Sequence, residues 1–182
     1  MRTLILALSL SGIAIAGAAQ TDARTQGVTW CDYHLETLAH TMDTTAAAFK
    51  GLDVTAARER VRTTPAELYL RAYLVYSGHR DTITAETRVI LDYLTQDSAW
   101  RRHYHASYAF ADGGHEYPLL VDDSLATTLL EEATPGDTVW AFVRMVRMLV
   151  GTTPHFIPIL AEFGTSQQTN DWADILRHCH SQ

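Results

Sequence analysis

The stretch "TVWAFVRMVRMLVG", residues 138–151, decides between two architectures. Wound as a helix, it places Val139, Phe142, Val143, Val146, Leu149 and Val150 on one face, with Arg144 and Arg147 opposite. Extended as a strand, it sends the two arginines to different faces. Its valines, tryptophan and phenylalanine suit a pleated surface. The turn "PGD" precedes it at 135–137, and "GTTP" at 151–154 leads into "HFIPILAEF" at 155–163. A hairpin of two long strands follows from these signals.

A second hairpin lies upstream. In "YHASYAF", residues 104–110, Tyr104, Ala106, Tyr108 and Phe110 alternate with His105, Ser107 and Ala109. "ADGGH" at 111–115 is a turn, and "EYPLLVDD" at 116–123 reads as the returning strand. Asp123 or Ser124 then caps a helix through Leu129, Leu130 and Ala133.

The N-terminal half reads as helical. One helix is expected from about Trp30 to Lys50, with Gly51 as its stop, and another from Asp53, burying Val54, Ala57 and Val61. "TPAE" at 64–67 has the form of a capping box, with Thr64 as N-cap and Pro65 at the first helical position. The helix it would open, "AELYLRAYLVYSG" at 66–78, is apolar on nearly every side and is expected to be central. A fourth helix covers about Thr84–Gln96, and a last one runs from Asn170 or Asp171 to His178. The fold class expected is α+β: N-terminal helices on an antiparallel sheet of two hairpins, with a closing C-terminal helix. An all-α protein is the alternative if 138–151 is helical.

The first residues carry a different signal. An apolar run from Leu4 to about Ala16 precedes small residues suited to cleavage before Gln20. Residues 1–19 therefore read as a signal peptide, 20–29 as a flexible leader and 30–182 as one globular α+β domain. The expected location is the periplasm or the extracellular space. Net charge is −7, from 14 Lys+Arg against 21 Asp+Glu, and becomes one unit more negative once Arg2 is removed. That balance, without a basic tract, argues against nucleic acid and against an anionic membrane surface as partners. A protein or a small ligand is expected instead.

Three sets of residues invite chemistry. The two cysteines, Cys31 and Cys179, each share an apolar stripe with neighbouring residues, and an exported chain favours their pairing as a disulfide. Between His178 and His180, Cys179 thus reads as the fastened end of the fold rather than as a nucleophile. Among nine histidines, His103 and His105 fall two apart, so on a strand they project together. With His115 beyond the turn as third ligand, or Glu116 or Asp112 in its place, they could hold zinc or copper. Tyr69, Tyr73 and Tyr76 share a helical stripe, readable as a ligand-facing aromatic wall or as core packing. No nucleophile elbow, phosphate loop or dinucleotide fingerprint occurs. The reading is an exported, non-enzymatic protein- or ligand-binding factor, with a metal-binding protein or metal-dependent enzyme centred on His103 and His105 as the alternative.

Overall fold

The computed structural model describes residues 29–65, 67–95, 98–150 and 153–165. The expected signal peptide, most of the expected leader, the expected last helix and Cys179 lie outside these residues. Six strands and four α-helices are found among the described residues. In chain order they are β1 (His34–Leu35), α1 (Leu38–Phe49), α2 (Val54–Thr63), β2 (Glu67–Thr82), α3 (Ala85–Thr95), β3 (Ala106–Asp112), β4 (His115–Val121), α4 (Asp123–Glu132), β5 (Thr138–Val150) and β6 (Thr153–Gly164).

Both hairpins form, but they do not make an open sheet under helices. The segment 67–82, expected as a central helix, is a strand of 16 residues, and it closes the sheet into a five-stranded barrel. Its first half pairs antiparallel with β5, from Glu67 opposite Val146 to Val75 opposite Thr138. Its second half pairs antiparallel with β3, from Val75 opposite Ala111 to Thr82 opposite Ala106. The circuit is completed by β3–β4, by β4–β6 and by β5–β6. The β4–β6 contact is parallel, with Leu120 opposite Ile159 and Val121 opposite Leu160. Neither the open α+β arrangement nor the all-α alternative holds.

The correction has a physical basis. In β2 the alternation turns Leu70, Ala72, Leu74 and Tyr76 inward, while Tyr69, Arg71, Tyr73 and Val75 face outward. Both faces carry large apolar or aromatic groups, so the strand is apolar all round, as a buried helix would be. The supposed capping box does not cap anything. Thr64 instead ends α2, and its hydroxyl donates to the Arg60 carbonyl at 2.7 Å.

The barrel interior is filled by side chains from β2, β3, β4, β5 and β6. Leu74, Phe110, Leu119, Val139, Val143 and Met145 are fully buried there, and Leu129 of α4 and Leu38 of α1 belong to the same cluster. The first expected helix begins only at Leu38, capped by Thr37, whose hydroxyl accepts from the His40 N–H at 3.2 Å. Upstream, the chain makes a 3-10 turn at Trp30–Asp32 and then pairs β1 parallel to β2 at Leu70 and Arg71. The α2 helix starts as expected at an Asp53 cap, which accepts from the Ala56 N–H at 2.8 Å, but Val54 is exposed and only Ala57 is buried.

Candidate binding surface on the barrel wall

The outward residues of β2 lie beside those of β5. Tyr69 stands opposite Arg144, Arg71 opposite Phe142, and Tyr73 opposite Trp140. These pairs form a wall of rings and guanidinium groups. At one end it is closed over by Tyr33, which is buried and meets Tyr69 and Phe142 edge-on at 5.3 and 5.2 Å between ring centroids. At the other end it is open: Tyr73 is 53% exposed and Val75 38%. There the Tyr73 and Trp140 rings lie 3.6 Å apart between centroids, tilted by 45°.

Charge on the closed end is tightly satisfied. The Arg144 guanidinium donates twice to the Glu67 carboxylate, at 3.0 and 2.7 Å, and the Tyr69 hydroxyl donates to the same carboxylate at 2.6 Å. Burial pushes the Tyr33 and Tyr69 hydroxyls up to about 12. Glu162 stands across from Phe142 on β6, and its carboxyl is likewise pushed up by burial.

The open end is different. Arg71 Nε and Trp140 Nε1 are buried and have no hydrogen-bond partner among the described residues. Both are pure donors on adjacent strands, and burial pushes the Arg71 guanidinium below its ordinary value.

Of the expected aromatic trio, only two members share this wall. Tyr76 lies inside the barrel at 2% exposure, its ring 5.4 Å from that of Phe110. A spacing of four keeps Tyr69 and Tyr73 on one face of a strand, while a spacing of three turns Tyr76 to the other. The helical reading of this segment hid Arg71 and Trp140. Period two applied to 67–76 would have placed Arg71 between the two outward tyrosines.

The histidines do not converge as expected. His103 and His105 precede β3 rather than lying on it. His103 Nδ1 is 3.8 Å from Asp122, and His105 Nδ1 is 2.7 Å from Asp123, at the start of α4. His115 opens β4 opposite Asp112, while the histidine end of β3 pairs Ala106 with Val121. The hairpin thus separates His115 from His105 by roughly 20 Å at the rise of a strand. Among the described residues, no group of three or more His, Cys, Asp or Glu side chains is placed to hold a metal ion. Cys31 sits in the 3-10 turn, two residues before Tyr33.

In order along the chain, the barrel strands connect first to second, second to third, third to fifth, fifth to fourth and fourth back to first, with α4 between the third and fourth. This defines a small closed Greek-key barrel of the OB type. No family model matches the chain, and no curated protein matches it. Among solved structures it is similar to a replication protein A heterotrimer bound to single-stranded DNA, at 8% identity and a TM-score of 0.42. The likeness covers 81% of this chain, which spans 40% of the chain it matches. It assigns no ligand here.

The exclusion of nucleic acid nevertheless does not stand. A closed five-stranded barrel is an architecture that can accommodate oligonucleotides. Net charge sums the whole surface, whereas binding depends on where the charges lie. Among the described residues, no helix is long and apolar enough to cross a membrane.

Proposed function

We propose that the chain is an exported, non-enzymatic binding protein that meets its ligand at the open end of this wall, around Arg71, Tyr73, Val75 and Trp140. Export rests on the apolar run Leu4–Ala16 and the small residues after it. The single observation that carries the site is the pair of buried donors, Arg71 Nε and Trp140 Nε1, beside a half-exposed aromatic ring. A buried donor left without an acceptor costs about 1–3 kcal/mol. A ligand that seats a flat group on Tyr73 and shifts the side chains covering these two atoms, so as to offer them an acceptor, recovers that cost.

Titration calorimetry with oligothymidylate and with an anionic oligosaccharide, against the unmodified protein and Arg71→Met, tests the site. At least one probe is expected to bind the unmodified protein and to lose roughly 10–100-fold in affinity in the variant. Binding that survives both Arg71→Met and Tyr73→Ala unchanged would refute the wall as the site, as would no binding of either probe.

A further inference from the structure

A cavity of about 360 Å³ lies away from this wall, lined by Ile83, Arg88, Trp100, Arg101, Tyr104 and His105. All six belong to the connection between β2 and β3. That connection forms an extra layer, in which Ile90, Leu91 and Trp100 pack over Leu120, Ile157 and Ile159 on the outside of the barrel. The described lining of the cavity is therefore supplied by the insertion.

Its lining is braced from behind. Asp92 of α3 accepts from Trp100 Nε1 at 3.1 Å and from Arg101 Nε at 3.0 Å, and it also takes Arg101 Nη2. The Arg101 guanidinium holds the Asp92 carboxyl below the ordinary carboxylate range. Trp100 is thereby fixed and buried, with the Arg101 guanidinium 5.8 Å from its ring centre. On the other side, Asp123 engages His105 Nδ1 at 2.7 Å, so the free edge of the imidazole is Nε2. Arg88 is exposed and has no carboxylate partner among the described residues; Asp92, one turn further along the helix, is taken by Arg101.

We propose that this cavity is a separate site for a small aromatic anion: a planar ring bearing a carboxylate or a phosphate. Tyr104 and the braced Trp100–Arg101 pair supply surfaces for the ring. Arg88 supplies the charge for the anionic group, and His105 adds a polar edge. A volume at the lower end of ligand pockets suits one ring system with its charged group rather than a polymer.

Calorimetry on the full chain uses four probes: adenosine monophosphate, 4-hydroxybenzoate, inorganic phosphate without a ring, and benzyl alcohol without a charge. At least one ring anion is expected to bind saturably, about tenfold or more tighter than both controls. The two ring anions distinguish phosphate from carboxylate as the preferred group. Arg88→Gln, a change at an exposed position, is expected to weaken that binding about tenfold, with an unchanged circular dichroism spectrum. Arg71→Met is expected to leave it unaltered, which separates this site from the barrel wall. Saturable binding by neither ring anion, equal binding of the controls, or full affinity in Arg88→Gln would overturn the proposal.

Discussion

Gly78 of β2 lies against Pro135 so closely that a β-carbon at Gly78 would stand 2.5 Å from Pro135 Cγ. Its φ is +79°, a left-handed conformation that favours glycine. This is where the register of β2 against β3 shifts, between Tyr76 and Arg80. The loop before β5 locks on beside it, with the Tyr76 N–H donating to the Asp137 carbonyl at 2.9 Å and the Gly136 N–H to the Tyr76 carbonyl at 2.7 Å. The irregularity lets one strand leave β5 and join β3, which barrel closure requires.

Gly78→Ala is therefore expected to destabilise the protein by about 2–4 kcal/mol, combining a left-handed penalty with overpacking. Chemical denaturation measures it. A loss below half a kilocalorie would mean that Pro135 does not constrain the strand.

Glu67 and Arg144 join the two strands of the wall. Arg144 is largely buried and Glu67 about two-thirds so, and Glu67 also accepts from Tyr69. Glu67→Ala removes the carboxylate from both donors and is expected to cost about 2–4 kcal/mol. Glu67→Gln, which keeps an acceptor, is expected to cost less. Equal losses in the two variants would argue against the charge-assisted bond.

Alkaline pH tests the burial of Tyr33 and Tyr69. Their folded values near 12 exceed the ordinary tyrosine value of 10.0, so below pH 10 both states keep these protons. Between pH 10 and 12 the unfolded state releases them first, and stability falls as pH rises through that window. Ultraviolet titration of tyrosinate should show two groups ionising near 12 that are absent in Tyr33→Phe/Tyr69→Phe, beside Tyr76 and Tyr117, whose hydroxyls burial also pushes up. Ordinary titration of every tyrosine would contradict the buried wall.

The Cys31–Cys179 pairing is retained as a proposal, and the described residues contain no free cysteine. A bridge closing so long a loop removes roughly 4–5 kcal/mol of unfolded-state entropy, with about 2–4 kcal/mol expected net. Denaturing thiol titration should find no reactive cysteine before reduction, and Cys31→Ser should lower the melting temperature. Two free thiols in protein from the cell envelope would exclude the bridge.

Much of the second half of the fold was legible in the residues. The alternation in 106–110, the "DGG" turn and the "GTTP" turn mark both hairpins, and Asp53 marks the start of α2. Closure was not legible, because it depends on β2 reaching two partners at once, and β2 resembles a buried helix when both its faces are apolar. The segment 30–37 was equally opaque: its pairing with β2 is a contact across the chain, fixed by bonds such as Glu36 N–H to the Arg71 carbonyl. The tyrosines pointed to the wall, but its donors came from Arg71 and from Trp140 on another strand.

Everything proposed for the wall depends on residues 67–76 being extended and paired with β5. Nuclear Overhauser contacts between side chains test this most directly. The structure predicts contacts from the Tyr73 ring to Trp140 and from the Tyr76 ring to Phe110, with no contact joining Tyr73 to Tyr76. Sequential amide–amide contacts along 67–76, with Tyr69, Tyr73 and Tyr76 meeting on one stripe, would contradict it.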